Sequence, residues 1–217
     1  MKTEDIIDEA NRIRTVLLMD KELTRYVDPQ RAYIPSPKVG SGKIKLIIIG
    51  QDPTVKNEKS RDKIKTVLNL DKKNSLYQYL SSIVEKLGDN VEENVYATNL
   101  LKCFYVAPPA TIKNLVREHA PYWIELLKKE LAQYPEAKII TLGEPVLDAL
   151  VTNGSKKVRE YWGYQGKNQA DITKFHYCNA NDNLILRKFF PFPHQPSIKK
   201  DFYRDTLESY LNFVSRH

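Results

Sequence analysis

A chain of 217 residues with 41 % hydrophobic content has enough apolar material for the core of one domain. No apolar run approaches the roughly 20 residues of a membrane helix, and "MKTEDIIDEANRIR" is too charged for a signal segment. Two cysteines, Cys103 and Cys178, exclude a disulfide framework and a four-thiolate metal site and make reducing cytoplasm the expected compartment, while a net charge of +7 favours a polyanionic partner over a membrane.

In chain order, "EDIIDEANRIRTVLLM" places Ile6, Ala10, Ile13 and Leu17 at helical spacing. With the Pro/Gly/Ser connector "RAYIPSPKVGSGK" it forms an N-terminal extension over residues 1–40 of a single domain spanning 1–217. "IKLIIIG" is a strand apolar throughout, as a strand covered on both faces must be. "NSLYQYLSSIVEKLG" predicts a helix from Ser75 that stops near Gly88. "NVYATNLL" is the second strand. In "TIKNLVREHAPYWIELLKKELAQY", Ile112, Leu115, Val116, Trp123, Leu126 and Leu127 share one helical face, and Pro121 is expected to kink the helix or begin another.

"AKIITLG" predicts a third strand, "EPVLDALV" a short helix, "NLILRKFFPFPHQPS" a fourth strand with a Pro-rich turn, and "KKDFYRDTLESYLNFV" a closing helix. Strands alternating with helices imply an α/β fold, a mostly parallel four-stranded sheet with helices on both faces. In such a sheet the loops at the carboxyl ends of the strands form the ligand crevice. Asp52 follows the first strand, Asn99 ends the second and His194 follows the fourth, so all three converge on one edge. A carboxylate, an amide and an imidazole there supply a base or charge stabiliser, a bidentate hydrogen-bonding group and a donor to a developing oxyanion.

Four segments in order carry a resemblance. "GQDPT" is similar to the water-activating motif of the uracil-DNA glycosylases, "VYATNLLKC" to the strand bearing their base-reading Asn, and "FPFPHQPS" to their second motif. "APYWIELLKKELAQYPEAKIITLGEPVLDAL" resembles the middle of the iron–sulphur branch. The resemblance runs from Lys45 to the C-terminus and implies a three-layer α/β/α sandwich that acts as a monofunctional DNA N-glycosylase. Such an enzyme is a monomer that takes DNA as its partner, uses no cofactor or metal, and excises uracil or a related deaminated base. It makes Asp52 and His194 catalytic and gives Gly50, Gln51, Asn99, Thr54 and Thr66 to the substrate, Thr66 near the family's base-stacking position. Departures are equally specific. Thr54-Val55 stands where the most similar first motifs have Tyr-His, Gln195 is inserted between His194 and Pro196, and the N-terminal cluster cysteines are absent. Cys103 keeps one position of the iron–sulphur branch and His119 occupies another, and two cysteines in all are too few for a cluster. On its own terms His119, on the apolar face with Leu115 and Trp123, reads as a core histidine.

Nucleic-acid contacts have three candidate sources. Lys56, Lys59, Arg61, Lys63 and Lys65 crowd into ten residues after the first motif, a pattern shared by solvated loops. "KKVREYWGYQGK" interleaves aromatics with cations, suited either to stacking on bases or to core anchoring. In "PSIKKDFYR", Ser197 caps the last helix while Lys199 and Lys200 oppose its dipole unless a phosphate lies nearby. Ile198 then serves as a wedge for the gap left by a flipped nucleotide. Two alternatives remain: a non-catalytic nucleic-acid-binding relative, and a hydrolase or binder of free nucleosides or nucleotides. The latter needs no basic rim, and the Gly-rich phosphate loop expected of it is missing.

Overall fold

The apolar run at Leu46–Gly50 forms the central strand, β2, with every residue buried. In the computed structural model, which describes residues 1–165, 170–194 and 201–217 (the side chains of 201 and 202 excepted), it is flanked by two parallel neighbours. These are β3 (Val95–Asn99) on one side and β4 (Lys138–Leu142) on the other, and β7 (Phe190–Phe192) runs parallel beyond β4. Ile47, Ile48 and Ile49 are 0 % exposed, the condition for a strand with neighbours on both edges and helices above and below.

The sheet has five strands, not the expected four, in the order β1-β3-β2-β4-β7. The addition is β1 (Lys38–Val39), antiparallel on the outer edge of β3 and drawn from the connector expected to be irregular. Gly40 makes this possible. A Cβ there would lie 2.4 Å from the Glu93 carbonyl oxygen, so only glycine lets the chain run close enough for its N–H to donate to Val95 O at 2.9 Å.

Eight helices are described: α1 (Thr3–Met19), α2 (Glu58–Arg61), α3 (Ser75–Lys86), α4 (Val91–Asn94), α5 (Leu115–Leu131), α6 (Glu144–Leu150), α7 (Val158–Tyr161) and α8 (Asp201–Arg216). The Asn74 side chain caps α3 by accepting from Tyr77 N at 2.9 Å. The α5 helix continues through Pro121 as one helix, so the expected restart does not occur. Its buried residues on both sides of the proline, from Leu115 to Leu131, form one packed face whose burial offsets the lost backbone bond. The segment after α7 forms a separate hairpin, β5 (Trp162–Tyr164) with β6 (Ala170–Phe175). Trp162 and Tyr164 are buried, and Trp162 stacks on Tyr210 at 4.3 Å and donates from Nε1 to Pro191 O at 2.8 Å. Of the two roles open to these aromatics, core anchoring is the one observed.

The β2-α3-β3 and β3-α5-β4 connections run in opposite directions across the sheet, so right-handed crossovers place α3 and α5 on opposite faces. The strand order therefore reverses between β2 and β4, and a crevice opens at their carboxyl ends. Among the described residues no helix is long and apolar enough to cross a membrane.

Candidate active site

Asp52 stands at the mouth of that crevice, in a turn that begins where β2 stops. Its Oδ1 accepts from Gln51 Nε2 at 2.7 Å and its Oδ2 from the Thr54 backbone N–H at 2.7 Å. Burial pushes its pKa up to about 6 against the pull of those two bonds. The group is therefore ionised at neutral pH yet remains a competent base. The loop after β3 holds this turn from below. Leu100 N and Leu101 N donate to Gly50 O and Gln51 O at 2.8 Å each, and Tyr105 N donates to Thr54 Oγ1 at 2.9 Å.

Asn99 ends β3 beside Gly50, with 1 % of its surface exposed. Its Oδ1 has no hydrogen-bond partner among the described residues, an expensive state for a buried acceptor. A Cβ on Gly50 would come within 2.5 Å of that oxygen and 2.6 Å of Leu68 Cδ2. Glycine at position 50 is thus what lets the carboxamide and the leucine close in on the strand end. The Asn99 backbone is clamped from behind. Lys102 Nζ donates to Asn99 O at 2.9 Å and to Thr98 Oγ1 at 2.8 Å, and lies 2.5 Å from Glu130 Oε1. Glu130 is fully buried and its Oε2 accepts from Tyr96 OH and Thr98 Oγ1.

Gly50, Gln51, Asp52, Thr54 and His194 line one cavity of about 640 Å³. Leu68, Ile64, Leu76, Pro108 and Leu142 give it a largely apolar wall, the usual make-up of a small-molecule pocket. Asn99 is not itself on the wall; it lies directly behind Gly50. His194 sits at the rim, exposed on one side, its Cβ 3.5 Å from where a Cβ on Gly143 would be. Partial desolvation there lowers its pKa, so the imidazole is neutral at pH 7 and able to donate a hydrogen bond.

Thr66, expected over the pocket, is outside its wall. Its segment pairs with the N-terminal connector instead, Val67 N donating to Ser36 O at 2.9 Å. Leu68, two residues later, takes the inward place with a left-handed φ of 56°, costly for a leucine and tolerated only where the surroundings hold it. Arg61, in sequence a member of the basic run after the first motif, is only 4 % exposed. Its partners are backbone carbonyls: Val55 O at 2.9 Å, and Tyr105 O and Val106 O at 3.1 Å each. Nothing in a basic run marks one member as buried, so the sequence carried no signal for it. Lys102 and Glu130 were likewise missed. Ser197, Ile198, Lys199, Lys200 and the inserted Gln195 lie outside the described residues.

His119 is fully buried, as its apolar neighbours required, and its Nδ1 lies 3.1 Å from Tyr105 OH. Desolvation lowers its pKa to about 4. Burial pushes the neighbouring Cys103 thiol up to about 12, which suits a small hydrophobe better than a ligand or nucleophile.

A parallel α/β sheet flanked by helices, with a carboxylate, a buried carboxamide and an imidazole gathered at its switch point, defines a class: enzymes of the doubly wound type that take a small polar ligand in an apolar pocket. Comparison with family models makes the class specific. The model described as the uracil DNA glycosylase superfamily matches residues 37–205. The chain belongs to that superfamily, and membership carries a glycosylase-type hydrolase activity on DNA bases and a DNA substrate. No curated protein matches the sequence.

Proposed function

We propose that this protein is a monofunctional DNA N-glycosylase that flips uracil, or a base presenting the same edge, out of DNA and hydrolyses its glycosidic bond. The observation that carries the reading is Asn99 Oδ1, a buried acceptor with no partner among the described residues, beside a cavity that holds Asp52 and His194. An N–H next to a carbonyl, as on uracil, satisfies both ends of the Asn99 carboxamide. Cytosine offers an acceptor where Oδ1 needs a donor, and the unpaired group would then cost a few kcal/mol of selectivity.

A base in a duplex cannot reach these groups, so the nucleotide leaves the stack at a cost of a few kcal/mol. As the glycosidic bond stretches, electron density moves to the base and positive charge to the sugar. The neutral His194 imidazole donates to the base carbonyl oxygen, and the ionised Asp52 faces the sugar cation and orients the attacking water. Gly50 and Gln51 shape the floor, Thr54 and Leu68 the wall. Thr54 is small and its hydroxyl is engaged with Tyr105 N, which leaves the wall open toward a 5-methyl group. Lys199, Lys200 and Ile198 are assigned to phosphate contact and wedging on the sequence argument alone.

The test is excision from a uracil-containing oligonucleotide, followed by alkaline cleavage of abasic sites, with wild type and Asn99→Ala under single-turnover conditions. Asn99→Ala is expected to lose at least about a hundredfold in rate while binding undamaged DNA normally. Equal rates for the two proteins would remove Asn99 from the base site.

A further inference from the structure

The Asp52–Val55 turn carries the base of the proposed reaction and has no secondary structure of its own to hold it. What spans it is Arg61. The guanidinium reaches from α2 beneath the turn, Nε donating to Val55 O and Nη1 to both Tyr105 O and Val106 O. It therefore joins the loop after β2 to the loop after β3, beside the Thr54–Tyr105 bond that makes the same junction.

The charge on this group is as informative as its hydrogen bonds. Among the described residues, no carboxylate lies within ion-pair distance of Arg61. Its sequence neighbours Glu58 and Asp62 turn to Arg31 instead, at 3.6 and 2.9 Å. A buried guanidinium that meets only neutral carbonyls is costly, and a neutral side chain would spare the fold that cost. We infer that Arg61 is a positioning residue for catalysis: it clamps the Asp52–Val55 turn against the Tyr105–Val106 loop and adds a fixed positive charge that favours the Asp52 anion alongside the hydrogen bonds from Gln51 and Thr54. The inference rests on the catalytic role proposed for Asp52.

Other groups around Asp52 do not replace that charge. Gln51 and Thr54 contribute neutral hydrogen bonds. Cys103 and Tyr105 feel the Asp52 charge, but burial pushes both thiol and phenol upward, so neither ionises at neutral pH. His194 shares the cavity and is held neutral there. Lys56 lines the mouth but is exposed, where solvent screens it. Against burial, the hydrogen bonds from Thr54 and Gln51 pull Asp52 toward ionisation most strongly, and the Arg61 charge adds a smaller pull in the same direction.

Two readouts test this in the full chain. One is the carboxyl titration of Asp52 followed by 13C NMR on the free protein. The other is the acid limb and plateau of single-turnover excision of uracil from an oligonucleotide. Arg61→Gln, which keeps a donor for one carbonyl, is expected to move the Asp52 midpoint and the acid limb up by at least about half a pH unit and to lower the plateau about tenfold or more. Arg61→Lys keeps the charge and loses the planar fork. It is expected to leave the midpoint near wild type and still lower the plateau about tenfold. A wild-type midpoint in folded Arg61→Gln overturns the electrostatic role, and a wild-type plateau in Arg61→Lys overturns the clamp. Where Arg61→Gln does not fold, as circular dichroism would show, the lysine variant decides by its plateau. The carboxyl titration needs no turnover, so it tests Arg61 even if the wild type excises nothing, an outcome that sinks the glycosylase reading alone.

Discussion

Asp52 shows at the scale of one residue how the fold and the chemistry pull apart. Burial raises its pKa from 3.8 to about 6, so folding favours the neutral acid whereas the proposed chemistry needs the anion. A carboxyl with a raised folded-state pKa contributes stability that is fully present below the unfolded value and is lost as pH rises through the folded one. Asp52→Asn should therefore be more stable than wild type at pH 8, by about 1–3 kcal/mol, and the gap should close near pH 4. The same variant should lose at least about a hundredfold in single-turnover excision. Thermal melts at both pH values, alongside the rate assay, check the pair of expectations. A variant that is neither stabilised at pH 8 nor slowed would mean that Asp52 is an ordinary turn residue.

Between elements, the ends of β2 and β3 act as one unit. Gly50 carries no side chain where Asn99 Oδ1 and Leu68 Cδ2 would collide with one. Gly50→Ala has to displace the carboxamide, the leucine or the strand, at a cost of about 1–3 kcal/mol. It is expected to reduce excision about tenfold or more, because an ångström of misplacement at the reading group is costly. Parallel denaturant and rate measurements would show whether the two losses travel together. Behind Asn99, the Lys102–Glu130 pair ties the turn after β3 to α5. Lys102→Met alone leaves Glu130 charged, buried and unpaired, and should destabilise by about 3–5 kcal/mol, whereas Lys102→Met/Glu130→Met should recover most of that loss in denaturant unfolding. If the double variant were as unstable as the single one, packing around the pair, and not its charge, would be what matters there.

For the molecule as a whole, the charge surplus becomes an expectation about salt. Lys56, Lys59, Lys63 and Lys65 are exposed beside the cavity's first loop, and Lys72 and Lys73 are exposed just before α3. Proteins that neutralise phosphates release counterions, so each lysine that contacts duplex DNA should lower the slope of log affinity against log salt by about 0.9 when replaced by alanine. Damaged and undamaged DNA should weaken together, since phosphate contacts carry no sequence information. The salt titration compares wild type with Lys56→Ala/Lys59→Ala and with Lys199→Ala/Lys200→Ala. A pair whose removal leaves affinity and slope untouched does not face the duplex.

Much of this organisation is written in local pattern. The alternation of apolar strands with amphipathic helices implied a mostly parallel sheet, and the convergence of Asp52, Asn99 and His194 followed from their places at strand ends. Such features depend on side-chain periodicity and chain order, which a sequence displays directly. What it could not display depends on close approach between segments remote in sequence. The fifth strand needed Gly40 to pass the Glu93 carbonyl. Thr66 gave way to Leu68 because the backbone on either side of it, Lys65 O and Val67 N, is bonded to Ser36. Arg61 left the basic run for the interior because three carbonyls from two loops met there. A buried charge and an exposed one are the same letter in a sequence. Only the tertiary structure decides which of them loses its water, because desolvation is set by neighbours that the chain brings together last.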